Sequence, residues 1–251
     1  YDTNRHRLID AIGANVVKWQ LDAKDLQDTA ATGTDPSGYI TTMVEAGAGT
    51  SEVEASDEVG LVAELITDAF DNDGINLQLN GEAFRPTGRD IYFGIELEVD
   101  EATQSDFLVG LAISDTDALG GLTDGIYFEK LDAGTGISAV TEKDSVETQS
   151  DNEGTLAANT RVTLEFYYDG TSVYFYVNGT RVATVTANIP DDEALTPTIH
   201  FLTGEAVAHR MKGAWARAIS IGYGLWQSEP SSATSSARRF ALILIACRRS
   251  R

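Results

Sequence analysis

The chain has 251 residues, 42% of them hydrophobic, and a formal net charge of -21. That is enough apolar content for one large β domain with its own core, and so acidic a body repels phosphate backbones and argues against nucleic acid as a partner. The longest apolar run, Phe240–Cys247, falls well short of the roughly 18 residues needed to cross a bilayer, so no membrane association is expected.

The first fifteen residues read as an N-terminal arm. They are locally basic at Arg5, His6 and Arg7, and Leu8, Ile9 and Ile12 fit one helical turn that Gly13 would end. Nothing after Tyr1 resembles a signal peptide. From Val16 the pattern changes to short strand-like runs: VVKWQL (16–21), YITTMVEA (39–46), GLVAELIT (60–67), INLQLN (75–80), DIYFGIELEV (90–99), DFLVGLAIS (106–114), GIYFEKL (125–131) and ISAVTEK (137–143). Gly, Asp, Asn and Thr break them at the rhythm of a sandwich or barrel. GLVAELITDAF also passes for a helix, although the DNDG that follows suits a hairpin equally well.

Residues 162–185, VTLEFYYDGTSVYFYVNGTRVATV, predict three strands and two turns. Alternation puts Val162, Leu164, Phe166 and Tyr168 on a core face with Val173, Phe175 and Val177. Asn178-Gly179 suits a two-residue type I′ turn, where both residues take positive φ; it would pair Tyr176 with Arg181 and Phe175 with Val182. Tyr167, Tyr174, Tyr176 and Arg181 then share the opposite face, a candidate protein or glycan interface. TPTIHFLT (196–203) and WARAISIGY (215–223) complete the strands.

SEPSSATSS (228–236) is a polar break, so the folded domain is expected over residues 16–227. The rest, 228–251, is a polar linker and a basic, apolar tail, either a docking peptide or a disordered end. It holds Cys247, the single cysteine, and five arginines, leaving residues 1–237 five charges more negative than the whole. With no intrachain disulfide available, stability must come from packing or assembly, which fits folding in a cytoplasm.

The aromatic strand, the D-G turn, YFYVNGTRVATV and a late strand like WARAISI are similar to the concanavalin A-like (laminin-G-like) jelly roll. This resemblance implies an all-β, two-sheet antiparallel sandwich carrying an N-terminal arm and a low-complexity tail. The phrases DTNRHRLIDAIGANVVKW, TDGIYF, TEKDSVET and FLTGEAVA also resemble uncharacterised virion proteins of tailed bacteriophages. That implies a non-enzymatic capsid decoration protein at the virion surface, folded in a host cytoplasm. Its partners would be the major capsid protein or further copies in a homodimer or homotrimer, with Arg5 and Arg7 as a docking arm.

A carbohydrate-binding module of a tail fibre or spike is the alternative. The jelly-roll family also includes glucanases with an E-x-D-x-x-E strand. Glu96, Glu98 and Glu101 stand at that spacing, with Glu98 replacing the Asp. Trp19, Trp215 and Trp226 lie far from them in the chain, so no stacking tryptophan is expected nearby, and no catalytic residue is assigned. Asp71-Asn72-Asp73-Gly74 opens like a calcium loop with Glu82 twelfth, but Ile75 and Asn76 break the pattern. His6, His200 and His209 lack ligand spacing, so neither a metal nor a cofactor is expected. Asn178-Gly179-Thr180 reads as a turn before it reads as a glycosylation sequon.

Overall fold

A computed structural model describes residues 16–22, 26–45 and 49–222. In chain order the strands are β1 (Val16–Gln20), β2 (Gly33–Thr34), β3 (Tyr39–Val44), β4 (Glu52–Ala55), β5 (Ala63–Ile66), β6 (Gly74–Leu79), β7 (Arg89–Val99) and β8 (Ser105–Ala112). They continue as β9 (Gly125–Lys130), β10 (Gly136–Lys143), β11 (Val146–Thr155), β12 (Val162–Tyr168), β13 (Val173–Val177), β14 (Thr180–Val185), β15 (Thr196–Thr203) and β16 (Arg210–Gly222). No helix occurs among the described residues, and the GLVAELIT segment is strand β5.

Two antiparallel sheets form the sandwich. One runs β14-β13-β12-β7-β16-β5-β4, with β1 pairing farther along β16; the other runs β11-β10-β9-β8-β15-β6-β3-β2. Alternating residues of both sheets fill the space between them. Phe93 of β7 stacks on Phe166 of β12 at 5.4 Å. Phe128 of β9 meets Phe175 of β13 edge-on at 5.2 Å and so ties the two sheets together. All four rings are fully buried.

The hairpins of 162–185 form largely as their turn residues dictate. Tyr168 pairs with Val173, and Asn178 and Gly179 take φ of 51° and 75°, the geometry of a type I′ turn. One pairing differs from expectation. Phe175 pairs with Ala183, because a bulge between Phe175 and Tyr176 absorbs Val182 while Tyr176 keeps Arg181.

The outer faces of the two sheets differ. On the β8–β9 sheet, Leu108, Ala112, Tyr127 and Val140 are covered by Ala118 and Leu122 from the connection between β8 and β9. Polar side chains pin that connection down. Asn76 donates to the Asp115 carbonyl at 2.6 Å, Gln78 donates to the Ile113 carbonyl at 3.0 Å, and the Leu119 N–H donates to His200 Nδ1 at 3.3 Å. Among the described residues, no such cover lies over the centre of the β7–β16 sheet.

Candidate functional site

The open face is centred on β7. Ile91, Phe93, Ile95 and Leu97 enter the core, which leaves Tyr92, Gly94, Glu96 and Glu98 facing outward. Strand β16 lies alongside, pairing Trp215 with Glu96, Arg217 with Gly94 and Ile219 with Tyr92. Gly94 is required here. A Cβ at this position would lie 2.4 Å from the Tyr92 hydroxyl and 3.0 Å from the Trp215 ring, so two aromatic rings converge over a bare backbone. The Tyr92 hydroxyl donates to Glu165 at 2.6 Å, which fixes that ring.

Polar groups surround this floor. The Arg217 guanidinium lies over the Trp215 ring, 4.4 Å from its centroid. Arg161, from the connection leading into β12, reaches Glu96 at 3.3 Å and Glu98 at 3.6 Å. Trp215, Arg217, Arg161 and Glu96, with Gln20 and Gly60, line a cleft of about 500 Å³. A smaller cleft of about 340 Å³, bordered by Thr42, Gln78 and Asp115, has no aromatic wall.

The structure brings Tyr167, Tyr174, Tyr176 and Arg181 together on the same outer face. Tyr167 and Tyr174 stack at 6.3 Å, and Arg181 lies over Tyr174 at 5.7 Å. Tyr167 is buried with Tyr92, while Tyr174 and Tyr176 are half-buried against them and Ile221. Burial holds the Tyr176 phenol above its usual range. The tyrosines are therefore a wall beside the cleft. Arg5 and Arg7 lie outside the described residues.

The three-carboxylate spacing does not assemble into a triad. Glu96 and Glu98 share the outer face of β7, but Glu101 lies beyond the strand and accepts the Thr103 N–H at 2.7 Å. That backbone hydrogen bond holds its carboxyl below the usual range. The expectation that no tryptophan would lie near Glu96 is corrected, because the closing strand carries Trp215 directly beside it. Trp215, Arg217 and Arg161 were not singled out from the sequence. The available signals were Gly94, a glycine inside an otherwise ideal strand, and the prospect that the late strand pairs centrally. The DNDG segment forms a turn, with the Asp73 N–H bonded to the Phe70 carbonyl at 3.0 Å, and Glu82 accepts the Ser114 N–H at 2.8 Å. No group of three or more acidic, His or Cys side chains suited to a metal occurs among the described residues.

Architecture and site define a concanavalin A-like jelly-roll sandwich with an open sheet face, a fold shared by carbohydrate-recognition domains and glucanases. The chain belongs to the family described as SO2946-like, C-terminal domain, whose profile matches residues 87–221. Among solved structures it is similar to SO2946, a protein of unknown function from Shewanella oneidensis MR-1, at 9% identity over 93% of this chain and 98% of that one, with a TM-score of 0.56. It is similar also to an endo-1,3-β-glucanase from Streptomyces sioyaensis, at 10% identity over 84% and 98% with a TM-score of 0.53. The carbohydrate recognition domain of Emp47p matches at 12% identity over 81% and 95%, again with a TM-score of 0.53. No curated protein matches the sequence. At these identities the likeness establishes the fold alone.

Proposed function

We propose that the chain is a non-catalytic saccharide-binding protein whose binding face is the outer surface of the β7–β16 sheet. The observation that carries this reading is the half-buried Trp215 ring in a cleft that it lines together with Glu96, Arg161 and Gln20. Saccharides present apolar C–H faces and polar rims, and aromatic surface beside charged and amide groups is complementary to both. Binding without hydrolysis is favoured by Arg161, which engages Glu96 and Glu98 together where a retaining hydrolase would need one carboxylate at the anomeric carbon and another at the glycosidic oxygen. A glycan array on the intact chain tests the reading. Binding is expected, and Trp215→Ala should weaken it by about tenfold or more, as loss of a buried aromatic anchor does. Absence of any glycan signal would end the reading, and release of reducing sugar would replace it with hydrolysis.

A second reading is a structural role on a phage virion, with the major capsid protein or further copies of the chain as partner. The half-buried Tyr174/Tyr176 wall capped by Arg181 favours it, together with the virion-protein phrases in the sequence. Protein composition of purified particles tests it, since a decoration protein would be present in many copies on the head.

A further inference from the structure

We propose that one end of the sandwich is a docking surface for the chain's own apolar tail segment, Phe240–Cys247, which lies outside the described residues. Five large hydrophobic side chains stand exposed among the described residues, and three of them, Phe70, Leu131 and Val207, belong to connections that meet at this end. Phe70 opens the turn whose Asn72 N–H donates to the Thr203 carbonyl at 2.8 Å. Leu131 follows β9 and precedes Asp132, and a Cβ on Gly204 would lie 2.5 Å from that of Asp132. Val207 folds back on the same segment, its carbonyl accepting from the Thr203 hydroxyl at 2.9 Å. The three connections therefore converge on Thr203 and Gly204. One exposed apolar residue is ordinary on a protein surface, but three on adjoining connections form an uncovered apolar patch.

Charge identifies what fits the patch. Asp71, Asp100 and Asp132 are exposed around it and Glu205 is half-buried. Burial, and then repulsion from Asp132 and Asp71, pushes the Asp106 carboxyl beneath them up to about 6. Cations at this end are committed. Lys130 is buried and donates to the Thr103 carbonyl at 2.9 Å and to the Ser105 carbonyl, and Arg210 pairs with Glu64 at 3.6 Å. His209 sits between Asp100 and Glu205, at 3.5 and 3.1 Å, one imidazole against two carboxylates. An apolar occupant of this end is therefore favoured by positive charge at its own ends. RRFALILIACRR (238–249) has that pattern, with the apolar run of Phe240–Cys247 between two arginine pairs. Length allows the contact. Strand β16 ends at Gly222, opposite Arg89 at the start of β7, and the patch lies beyond Val99 at the other end of that strand. The separation is about 35 Å at ~3.4 Å per residue, and an extended chain from Gly222 to Phe240 spans up to about 60 Å.

Cross-linking through Cys247, the single cysteine, tests this in the full chain. Leu131→Cys and Val207→Cys are compared with Val59→Cys and Val146→Cys, whose sites are at least as exposed but lie at the opposite end of the sandwich, where β4 turns into β5 and β10 into β11. Oxidised glutathione is the oxidant, the protein is dilute, and mass spectrometry of peptides locates each disulfide. Docking raises the effective concentration of Cys247 at the patch, so the first two variants should form the intrachain bond about tenfold faster than the other two. Combining Arg248→Glu with Arg249→Glu should remove most of that advantage, and added salt should remove part of it as ion pairs are screened. Equal rates at all four sites would overturn the inference, because they report a segment with no preferred surface. Disulfides formed only between chains would overturn it in favour of a second copy as the source of the occupant.

Discussion

Replacing Glu129 with Gln should stabilise this protein at alkaline pH and have little effect near pH 5. Glu129 lies on β9, opposite Leu108 of β8 and Ser138 of β10. Burial, and then repulsion from Glu147, Glu142, Asp106 and Asp151, pushes its carboxyl up from 4.5 to about 7. The sign follows from proton uptake. Between pH 7 and 4.5 the folded chain holds a proton at this site that the unfolded chain lacks, so stability rises as pH falls through that window and the destabilisation is complete above it. The gap is worth ~3 kcal/mol at about 1.4 kcal/mol per pH unit, and partial solvent exposure of the carboxylate reduces this to ~1.5 kcal/mol. For a domain of this size that corresponds to a rise of roughly 3–6 °C in melting temperature. Differential scanning calorimetry of both proteins at pH 8 and pH 5 gives the answer. The contribution from His200 is common to the two proteins and cancels in the comparison. A variant no more stable than wild type at pH 8, or one whose advantage is the same at both pH values, would refute the reasoning.

Other substitutions test the core, a turn and a buried base. Phe175→Ala removes the ring that touches both Phe128 and Phe166, and chemical denaturation should show a loss of about 3–5 kcal/mol. Gly179→Ala places a Cβ where φ is +75° and should cost about 1 kcal/mol in the same assay, whereas Gly134→Ala, with open space around it, should be near neutral. Burial pushes the His200 imidazole down from 6.5 to about 3, so it stays neutral in the fold while the unfolded chain protonates. Stability should therefore fall as pH drops from 6.5 toward 3, and His200→Gln should flatten that part of the acid melting profile.

Strands with one buried face were legible because their period-two alternation carries the information locally. The core sides of β7, β12 and β13 follow directly from their sequences, as do the D-G and N-G turns. Strands without that alternation, or too short to display it, were missed. VETQSDNEGT forms β11 as a sheet edge with both faces solvated, so it offers no apolar stripe to read. EVEA, β4, is a short edge strand with a single fully buried residue, Val53. GLVAELIT looked equally helical because β5 is buried on both faces, which removes the distinction between periods. The bulge that absorbs Val182 was illegible for a related reason, since turn chemistry specifies where a hairpin starts and not where it slips. The cleft depends on pairing between residues 94–96 and 215–217. More than a hundred residues separate these segments, and no local pattern announces their contact.

What the face does chemically depends on Arg161 more than on the fold. Glu96 and Glu98 project from one strand of a sandwich whose architecture also serves hydrolases, so their spacing alone cannot separate a catalyst from a binder. Hydrolysis with retention requires one carboxylate at the anomeric carbon and another at the leaving oxygen. Here one guanidinium, entering from the connection before β12, contacts Glu96 Oε1 and Glu98 Oε2, while Glu96 Oε2 also accepts from the Thr163 hydroxyl at 3.4 Å. The two carboxylates are thereby committed to holding a cation at the cleft wall. On the proposed binding reading their role is positional: they hold Arg161 in the cleft that Trp215 and Arg217 also line.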